Sequence, residues 1–291
     1  MERLTDISTI KDVMERHGFT FSKALGQNFL INPSVCPRMA EAAIGEHNQE
    51  TSVGVLEIGP GIGVLTKELL QRADKVVAVE LDKRLLPVLD ETLGEFDNLK
   101  VVNADVLELD LHKLIAEEFD GMEVAVCANL PYYITSPVIM KLLEDRLPIR
   151  SITVMVQKEA AVRLCAEPGT RDSSAITVAV RYYCDPEMLF KVSSGSFMPA
   201  PKVDSAVIQL KLREPAVHPK NEETFFMVIK GAFAQRRKTV LNSLSSSLSL
   251  DKNAVRDILK AAAGVDENAR AERLTLEDFA NISDAVDDWS N

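Results

Sequence analysis

A four-residue run, Asn129-Leu130-Pro131-Tyr132, brings together groups that could hold a flat nitrogenous ring. The side chain of Asn129 offers an amide oxygen, and the carbonyls of Leu130 and Pro131 offer further acceptors. The aromatic ring of Tyr132 could stack on the bound ring and fix its plane. Such a set suits an exocyclic amino group that donates two hydrogen bonds. The structural alternative is that Pro131 ends a strand and Tyr132 fills the core.

An apolar segment at residues 124–126 precedes this run and predicts a buried strand. Asn129 and the residues after it would then follow the carboxyl end of that strand. Ligands bind at this edge in open α/β sheets. The position of the run therefore favours a binding role over a purely structural one.

A glycine turn, Gly59-Pro60-Gly61-Ile62-Gly63, separates a predicted strand, Val53–Ile58, from a predicted helix that begins near Leu65. A strand, a glycine turn and a helix in this order are typical of nucleotide-binding folds. The spacing is GxGxG and not the GxGxxG of dinucleotide sites. This difference favours a nucleoside with a carboxylate tail over a pyrophosphate. A tight turn without a ligand is the structural alternative.

Acidic residues end the next two predicted strands. Glu80 ends the strand at residues 75–80, about 20 residues after the glycine turn, where a carboxylate accepts hydrogen bonds from ribose hydroxyls. Asp105 ends the strand predicted at residues 99–105, where it could accept from an adenine amino group. Right-handed crossovers in a parallel sheet bring four successive strand ends to one edge. The residues at these ends are Gly59, Glu80, Asp105 and Asn129.

The composition limits the class of protein. The chain has 291 residues, of which 46% are hydrophobic, and it suits a soluble protein with one large domain and one small domain. Its formal net charge of −11 argues against general binding of polyanions but leaves room for a local basic patch. No apolar run reaches the roughly 18 residues that a membrane span needs. We expect a protein without membrane association.

Three features of the sequence bear on metal binding, disulfide formation and cellular location. The four cysteines lack CxxC spacing, and the four histidines lack the spacing of metal ligands. The amino terminus lacks the apolar core of a signal peptide. We therefore expect free thiols, no metal site and a cytoplasmic location.

The periodicity predicts two domains. Residues 1–213 form an α/β domain with an extension at residues 1–50, which contains a helix and a loop over residues 19–33. Residues 214–291 form a small all-helical domain after a proline-containing linker. This second domain carries a basic cluster, Arg236-Arg237-Lys238. Such a cluster is either a solvated surface or a set of phosphate contacts.

The motifs together resemble those of the S-adenosylmethionine-dependent methyltransferases. The series comprises Glu57-Ile58-Gly59-Pro60-Gly61-Ile62-Gly63, Glu80, Asp105 and Asn129-Leu130-Pro131-Tyr132. The form of the last motif resembles the ribosomal RNA adenine-N6 methyltransferase family. The segments Lys23–Leu30 and Ser196–Ser205 are similar to that family's amino-terminal signature and late proline-rich loop. The likeness covers about residues 20–240, and its details are most similar to the small-subunit members.

The resemblance implies a Rossmann-like class I methyltransferase fold with a helical carboxyl-terminal domain. It also implies methyl transfer from S-adenosyl-L-methionine to N6 of two adjacent adenosines near the 3′ end of 16S rRNA. The expected partner is this RNA within the immature 30S subunit, with the protein acting as a monomer in small-subunit biogenesis. The implied catalytic residues are Asn129, Leu130, Pro131, Tyr132 and Phe197. The implied cofactor residues are Gln27, Asn28, Leu30, Gly59, Gly61, Glu80, Asp105 and Asn129, and the RNA-binding residues are Lys23, Arg236, Arg237 and Lys238.

Two other functions remain open at the level of the sequence. The same chemistry could act on large-subunit RNA, as in related antibiotic-resistance methyltransferases, although the amino-terminal signature and helical tail fit the small-subunit enzymes better. A ribosome-assembly or transcription factor could instead keep the fold without catalysis. The complete set of glycine, carboxylate, amide and tyrosine positions favours an enzyme.

Overall fold

A seven-stranded mixed sheet organises the larger part of the molecule. The computed structural model describes residues 4–18, 28–45, 51–262 and 264–290. Within these ranges the strands are β1 (Phe29–Leu30), β2 (Val53–Ile58), β3 (Lys75–Glu80), β4 (Leu99–Asn103), β5 (Glu123–Asn129), β6 (Ser151–Gln157), β7 (Cys184–Val192), β8 (Phe197–Met198) and β9 (Ser205–Leu212). The predicted strands at 53–58 and 75–80 are confirmed to the residue.

The strand order of the large sheet is β4-β3-β2-β5-β6-β9-β7. The strands from β4 to β6 are parallel, and β9 joins β6 antiparallel. The strands β3 and β4 are added on one side of β2, and the next strand in the chain, β5, is added on the other side. The carboxyl ends of β2 and β5 therefore flank the point where the order reverses, and ligands bind at such a point in open α/β sheets. Ile58 and Ala128 are neighbours there.

The burial of the central strands explains their sequences. Every residue of β2 is buried, and so are the five residues between the ends of β5. Parallel strands covered on both faces read as continuous apolar runs and do not alternate. The runs Val53–Ile58 and Val124–Ala128 have this pattern. The resulting core fixes the strand ends from which the polar residues extend.

Helices cover the sheet and form the second part of the chain. The described α-helices are α1 (Ile7–Arg16), α2 (Val35–Ile44), α3 (Val64–Leu70), α4 (Leu86–Leu93), α5 (Leu111–Glu118), α6 (Thr135–Glu144), α7 (Lys158–Cys165), α8 (Ala175–Tyr183), α9 (Glu222–Phe233), α10 (Val240–Leu248), α11 (Lys252–Ala261) and α12 (Leu276–Ser290). Side-chain oxygens of Asp110, Asn221, Thr239 and Asp251 accept backbone hydrogen bonds at the starts of α5, α9, α10 and α11. Such caps satisfy donors that a helix leaves unpaired in its first turn. None of the described helices is long and apolar enough to cross a membrane.

The chain forms two compact units. The first comprises residues 1–161 and 187–212, and the second comprises residues 162–186 and 213–291. The sequence places residues 162–186 in the α/β domain, whereas the structure groups them with the helices that follow residue 213. An aromatic cluster accounts for this grouping, because Tyr182 and Tyr183 of α8 contact the rings of Phe225 and Phe226. The Tyr183 hydroxyl also donates to Glu222 Oε1 at 2.5 Å.

Candidate active site

A cavity lies at the carboxyl ends of β2, β3 and β5, within the first unit. Every predicted catalytic and cofactor residue in the described ranges lines it. These residues are Asn28, Leu30, Gly59, Gly61, Glu80, Asp105, Asn129, Leu130, Pro131, Tyr132 and Phe197. Gln27 and Lys23, which the sequence also predicts, lie outside the described residues. The ends of the parallel strands and the antiparallel β1–β8 pair thus bring together side chains that are separated by up to about 170 residues in the chain.

The glycine turn leaves space beside its backbone. Gly59 and Gly61 have φ angles of 71° and 62°, in the left-handed region that glycine adopts without strain. A Cβ atom on Gly59 would meet no heavy atom within 4 Å. The Gly59 amide donates to the Val79 carbonyl at 2.9 Å, which fixes the turn against the end of β3. A ligand can therefore approach the backbone of this turn closely.

Glu80, the last residue of β3, is held beside this turn. Its Oε2 accepts from the Gly61 amide at 3.3 Å, and its Oε1 accepts from the Asp82 amide at 2.7 Å. Glu80 is only 6% exposed, and burial raises the pKa of its carboxyl group, while the hydrogen bonds from Asp82 and Gly61 oppose that shift. Each carboxylate oxygen retains acceptor capacity. The position therefore suits a pair of hydroxyl donors.

Asp105 lies two residues after the end of β4 in a half-buried turn, so the prediction that this strand ends at Asp105 is wrong. Its Oδ1 accepts from the Leu107 amide at 2.9 Å, so one oxygen holds the turn. The neighbouring strand end is fixed by Asn103, whose Nδ2 donates to the Glu80 carbonyl at 2.7 Å. The carboxylates of Asp105 and Glu80 thus line one cavity from adjacent strands. Together they present acceptors and no cationic side chain.

Asn129 is the last residue of β5, beside Met155 of β6. Its side-chain amide forms no hydrogen bond among the residues that the structure describes, although it lines the cavity. The carbonyl of Pro131 accepts from the Ile134 amide at 3.1 Å and from Thr135 Oγ1 at 3.4 Å. These two bonds use both lone pairs of that carbonyl. Asn129 and the Leu130 carbonyl are therefore better placed to accept from a ligand than the Pro131 carbonyl.

Tyr132 and Tyr133 follow in the same turn but differ in their surroundings. Tyr132 is half-buried, and its hydroxyl lies 2.9 Å from Ser205 Oγ at the start of β9. Tyr133 is 57% exposed. Both line the cavity. One ring is thus fixed in the wall of the cavity, and the other lies at its rim.

Two segments that resemble family motifs pair with each other. Leu30 in β1 is opposite Phe197 in β8, and Phe29 is opposite Met198. The Ile31 amide extends the pairing by donating to the Ser196 carbonyl at 2.8 Å. The expectation of a loop over residues 19–33 is therefore wrong at Phe29–Leu30, where the backbone finds partners about 170 residues away along the chain. Phe197 is only 4% exposed and packs in the apolar core as well as lining the cavity.

Comparison with known proteins agrees with this geometry. The family model for ribosomal RNA adenine dimethylase matches residues 18–288. The chain belongs to the ribosomal RNA adenine dimethylase family. Its fold is that of a Rossmann-like class I methyltransferase with a helical carboxyl-terminal part, and its cofactor is S-adenosylmethionine.

Relatives match this dimethylase over almost its whole length. The "Ribosomal RNA small subunit methyltransferase A" of Alkaliphilus oremlandii is 47% identical over 285 residues, which covers 97% of this chain and 98% of the relative. The protein of the same name from Geobacillus thermodenitrificans is 48% identical over 288 residues, with 97% of each chain covered. The likeness therefore extends over both compact units of the chain.

Solved structures of related enzymes also superpose on most of this chain. A dimethyladenosine transferase from Plasmodium falciparum superposes with a TM-score of 0.67 at 28% identity, over 87% of this chain and 95% of the other. The 23S rRNA methyltransferase ErmE superposes with a TM-score of 0.64 at 30% identity, over 89% of this chain and 100% of the other. The dimethylase thus shares its fold with a protein named as a dimethyladenosine transferase and with one named as a 23S rRNA methyltransferase.

One residue of the cavity lining, Glu57, was not predicted as a site residue from the sequence of the dimethylase. Glu57 in β2 is 1% exposed and lines the cavity, and its Oε2 has no hydrogen-bond partner among the described residues. Burial raises the pKa of Glu57 to about 8, and the nearby Thr66 offsets only part of that effect. The same burial raises the pKa values of the Cys36 and Cys127 thiols, with a further contribution from Glu57. The sequence does contain a signal for this residue, because a single glutamate interrupts an otherwise apolar predicted strand.

The basic cluster of the dimethylase lies in its second unit. Arg236, Arg237 and Lys238 are exposed in the turn between α9 and α10. Within the described part of the chain, none of these three forms an ion pair with an acidic residue. The Lys238 amide donates to the Gln235 carbonyl at 2.9 Å and closes the turn. The three cations are therefore available to an external anion.

The described residues contain no group of three or more histidine, cysteine, aspartate or glutamate side chains that could hold a metal ion. The donors and acceptors of the cavity fit S-adenosylmethionine instead. The open glycine backbone fits its amino-acid portion, and the carboxylates of buried Glu80 and half-buried Asp105 fit its adenosine hydroxyl and amino donors.

Proposed function

We propose that this chain is the small-subunit enzyme of its family. It transfers methyl groups from S-adenosyl-L-methionine to N6 of two adjacent adenosines near the 3′ end of 16S rRNA and forms N6,N6-dimethyladenosine. The observation that carries the proposal is the single cavity in which the amide of Asn129 lies with Glu80, Asp105 and the open glycine turn. The identity of 47–48% to proteins named for the small subunit, against 30% to a 23S rRNA enzyme, supports this choice of RNA.

The chemical problem is the weak nucleophilicity of the adenine amino group, whose lone pair is delocalised into the ring. In this proposal Asn129 Oδ1 and the Leu130 carbonyl accept from the two N–H groups. These hydrogen bonds strengthen as the nitrogen becomes pyramidal, so they stabilise the transition state more than the ground state. The Pro131 carbonyl instead maintains the turn, because its two lone pairs are used by Ile134 and Thr135.

Binding of the cofactor is assigned to the strand ends beside Asn129. Glu80 accepts from the ribose hydroxyls, Asp105 accepts from the adenine amino group, and the backbone near Gly59 and Gly61 contacts the remainder. S-adenosylmethionine supplies an electrophilic methyl group on its sulfonium. Asn28 and Leu30 complete the lining from β1. Alignment of the amine with this methyl group supplies most of the rate, and no strong general base is required.

Tyr132 is assigned to the plane of the target base. Its hydroxyl is fixed by Ser205, so a base that enters the cavity meets a ring whose orientation is already set. Phe197 lines the same cavity but is 4% exposed, so we assign it a packing contact with the base and not a full stacking face. After the first transfer the methylated nitrogen loses a proton to water, so one N–H remains, and either acceptor can still hold it. The same site therefore carries out both transfers.

The second unit is assigned to recognition of the RNA. The cations of Arg236, Arg237 and Lys238 are exposed and suited to phosphate contacts. We place the reaction on the immature 30S subunit, in the cytoplasm, with the protein acting as a monomer. These assignments extend the action on ribosomal RNA that family membership implies.

The decisive experiment measures the product. The protein is incubated with radiolabelled S-adenosylmethionine and immature 30S subunits, and the RNA is digested to nucleosides. We expect labelled N6,N6-dimethyladenosine at two adjacent positions. Its absence would exclude the proposal. A parallel incubation uses 50S precursors. If labelled product formed only there, the substrate would be large-subunit RNA.

A variant of Asn129 separates an enzyme from a non-catalytic binding factor. Asn129→Ala should retain affinity for 30S subunits and for the cofactor but lose about 100- to 1,000-fold in turnover, the usual effect of removing a preorganised electrostatic contact. The matched control is Asn281→Ala, which removes an exposed amide of α12 outside the cavity lining. Normal turnover by Asn129→Ala would refute the role of this amide as an acceptor.

A further inference from the structure

The rim of the cavity carries an aromatic ring that the proposed reaction does not use. Tyr133 lines the cavity and is 57% exposed, and its hydroxyl forms no hydrogen bond among the described residues. The other described aromatic residues of the lining are more enclosed. Phe29 and Phe197 are 6% and 4% exposed, and Tyr132 is half-buried and bonded to Ser205. Tyr133 is thus the one aromatic face of the described lining that a group outside the cavity can cover.

Exposure alone would carry no argument, because single apolar side chains on a surface are common. The position of Tyr133 is the informative feature. It is four residues after Asn129 and directly after Tyr132, so the turn that places the amine acceptor also places this ring. Leu81, 53% exposed, lines the same cavity and provides a second uncovered apolar group. An apolar rim around a polar reaction site indicates contact with the substrate outside the reacting base.

The proposed reaction requires such a contact. A base must leave its stack before its amino group can enter an enclosed site. When two adjacent adenosines react in turn, the base that leaves the stack to enter the cavity uncovers one face of its neighbour. An exposed tyrosine can replace the missing stacking partner, since every base has a face that stacks on an aromatic ring.

We propose that Tyr133 stacks on the nucleotide next to the adenosine held in the cavity and prefers a purine at that position. This inference rests on the proposed function. It assigns Tyr133 a role in choosing and holding the pair of adenosines, whereas Asn129 and Tyr132 act on the reacting base. Because stacking holds the neighbour in the bound state and in the transition state alike, the contribution should be found mainly in KM.

The test varies the neighbouring nucleotide and the ring together. 30S particles are reconstituted with 16S rRNA in which one of the two target adenosines is replaced by guanosine or by uridine, so that one target remains in each case. Guanosine stacks well and uridine stacks poorly. We expect the unmodified enzyme to favour the guanosine substrate by about tenfold in kcat/KM, the size of one base–aromatic contact. Tyr133→Ala should reduce this preference to near one, and Tyr133→Phe should retain it.

Controls separate this role from folding and from the main reaction. Tyr133 is exposed, so the unfolding temperature and the cofactor Kd of Tyr133→Ala should equal those of the unmodified enzyme. Trp289→Ala removes another exposed aromatic ring, 51% exposed, that does not line the cavity, and it should leave the preference unchanged. A purine preference that survives in Tyr133→Ala, or is lost in Tyr133→Phe, would overturn the inference while the proposed function stands. No methylation of the native pair by the unmodified enzyme would overturn both.

Discussion

The hydroxyl of Tyr132 lies 2.9 Å from Ser205 Oγ and joins the turn after β5 to the first residue of β9. Ser205 is fully buried, and it is opposite Gln157 where β9 runs antiparallel to β6. The hydrogen bond therefore anchors one ring of the cavity wall to a fixed point in the sheet. A ring whose plane is set before the substrate arrives loses less conformational freedom on binding.

This relationship predicts coupled effects of two small substitutions. Tyr132→Phe and Ser205→Ala each remove the hydrogen bond and leave the packing nearly unchanged, so each should lower kcat/KM by roughly three- to tenfold, in line with a net contribution of about 0.5–1.5 kcal/mol. The double variant should be no slower than the worse single variant, because both changes remove one interaction. Steady-state kinetics on immature 30S subunits provides the measurement. Effects that multiply in the double variant would show that the two residues act separately.

Much of the fold could be predicted because local pattern and burial agree. The bounds of β2 and β3 were predicted correctly, because a short apolar run flanked by glycine or charge is typical of a buried strand. The pairing of β1 with β8 could not be predicted, because each strand has only two residues and their partners are remote in the sequence. The grouping of α8 with α9 depends on contacts between aromatic rings that no local pattern encodes.

The candidate site could be predicted as a set of residues but not in its details. The polar residues at the ends of parallel strands necessarily meet at one edge, and the glycine turn marks that edge. The sequence did not indicate that the Pro131 carbonyl is already used within its own turn. It also gave no reason to separate Tyr133 from Tyr132, although burial distinguishes the two rings. These details depend on three-dimensional packing, which residue types alone do not specify.

Glu80 should affect cofactor binding far more than turnover. Glu80→Gln keeps the shape of the side chain but removes the charge, and we expect the Kd for S-adenosylmethionine to rise by about 10- to 100-fold, since hydrogen bonds to charged groups contribute about 1.5–3 kcal/mol. At saturating cofactor kcat should change little, because the contact is the same in the ground and transition states. Isothermal titration calorimetry and steady-state kinetics measure the two quantities. An unchanged Kd would refute the ribose contact.

Glu57 should make the stability of the cofactor-free protein depend on pH. Its pKa in the folded state is about 8, against 4.5 as the ordinary value, so the neutral form is favoured by folding. The resulting stabilisation is fully present below pH 4.5 and is lost as the pH rises through about 8. Within that window each pH unit lowers the free energy of unfolding by up to about 1.4 kcal/mol. Urea unfolding between about pH 5 and pH 9 should therefore show a declining contribution that Glu57→Gln removes.

Glu118 is the matched control for this pH dependence. Hydrogen bonds from Lys100 and Lys75 lower the pKa of Glu118 from 4.5, so its contribution changes only at acidic pH, below the range of the measurement. Glu118→Gln should therefore shift stability by a constant amount and leave the slope of stability against pH unchanged. The same slope in Glu57→Gln and in the unmodified protein would show that Glu57 is ionised in the folded state.

The basic turn after α9 should determine the salt dependence of RNA binding. Replacing Arg236, Arg237 and Lys238 by glutamine removes three exposed cations, so 30S affinity should fall. The slope of log K against log salt should decrease by about 0.7–0.9 for each phosphate that these side chains neutralise in the unmodified protein. Filter binding between about 50 and 300 mM salt measures both quantities. Glutamine at Lys252, Lys260 and Arg270 provides a control with the same charge change on exposed positions of the same unit. Equal slopes for the two triple variants would show that the turn contributes only general charge, whereas a smaller slope in the turn variant alone identifies direct contacts with the RNA backbone.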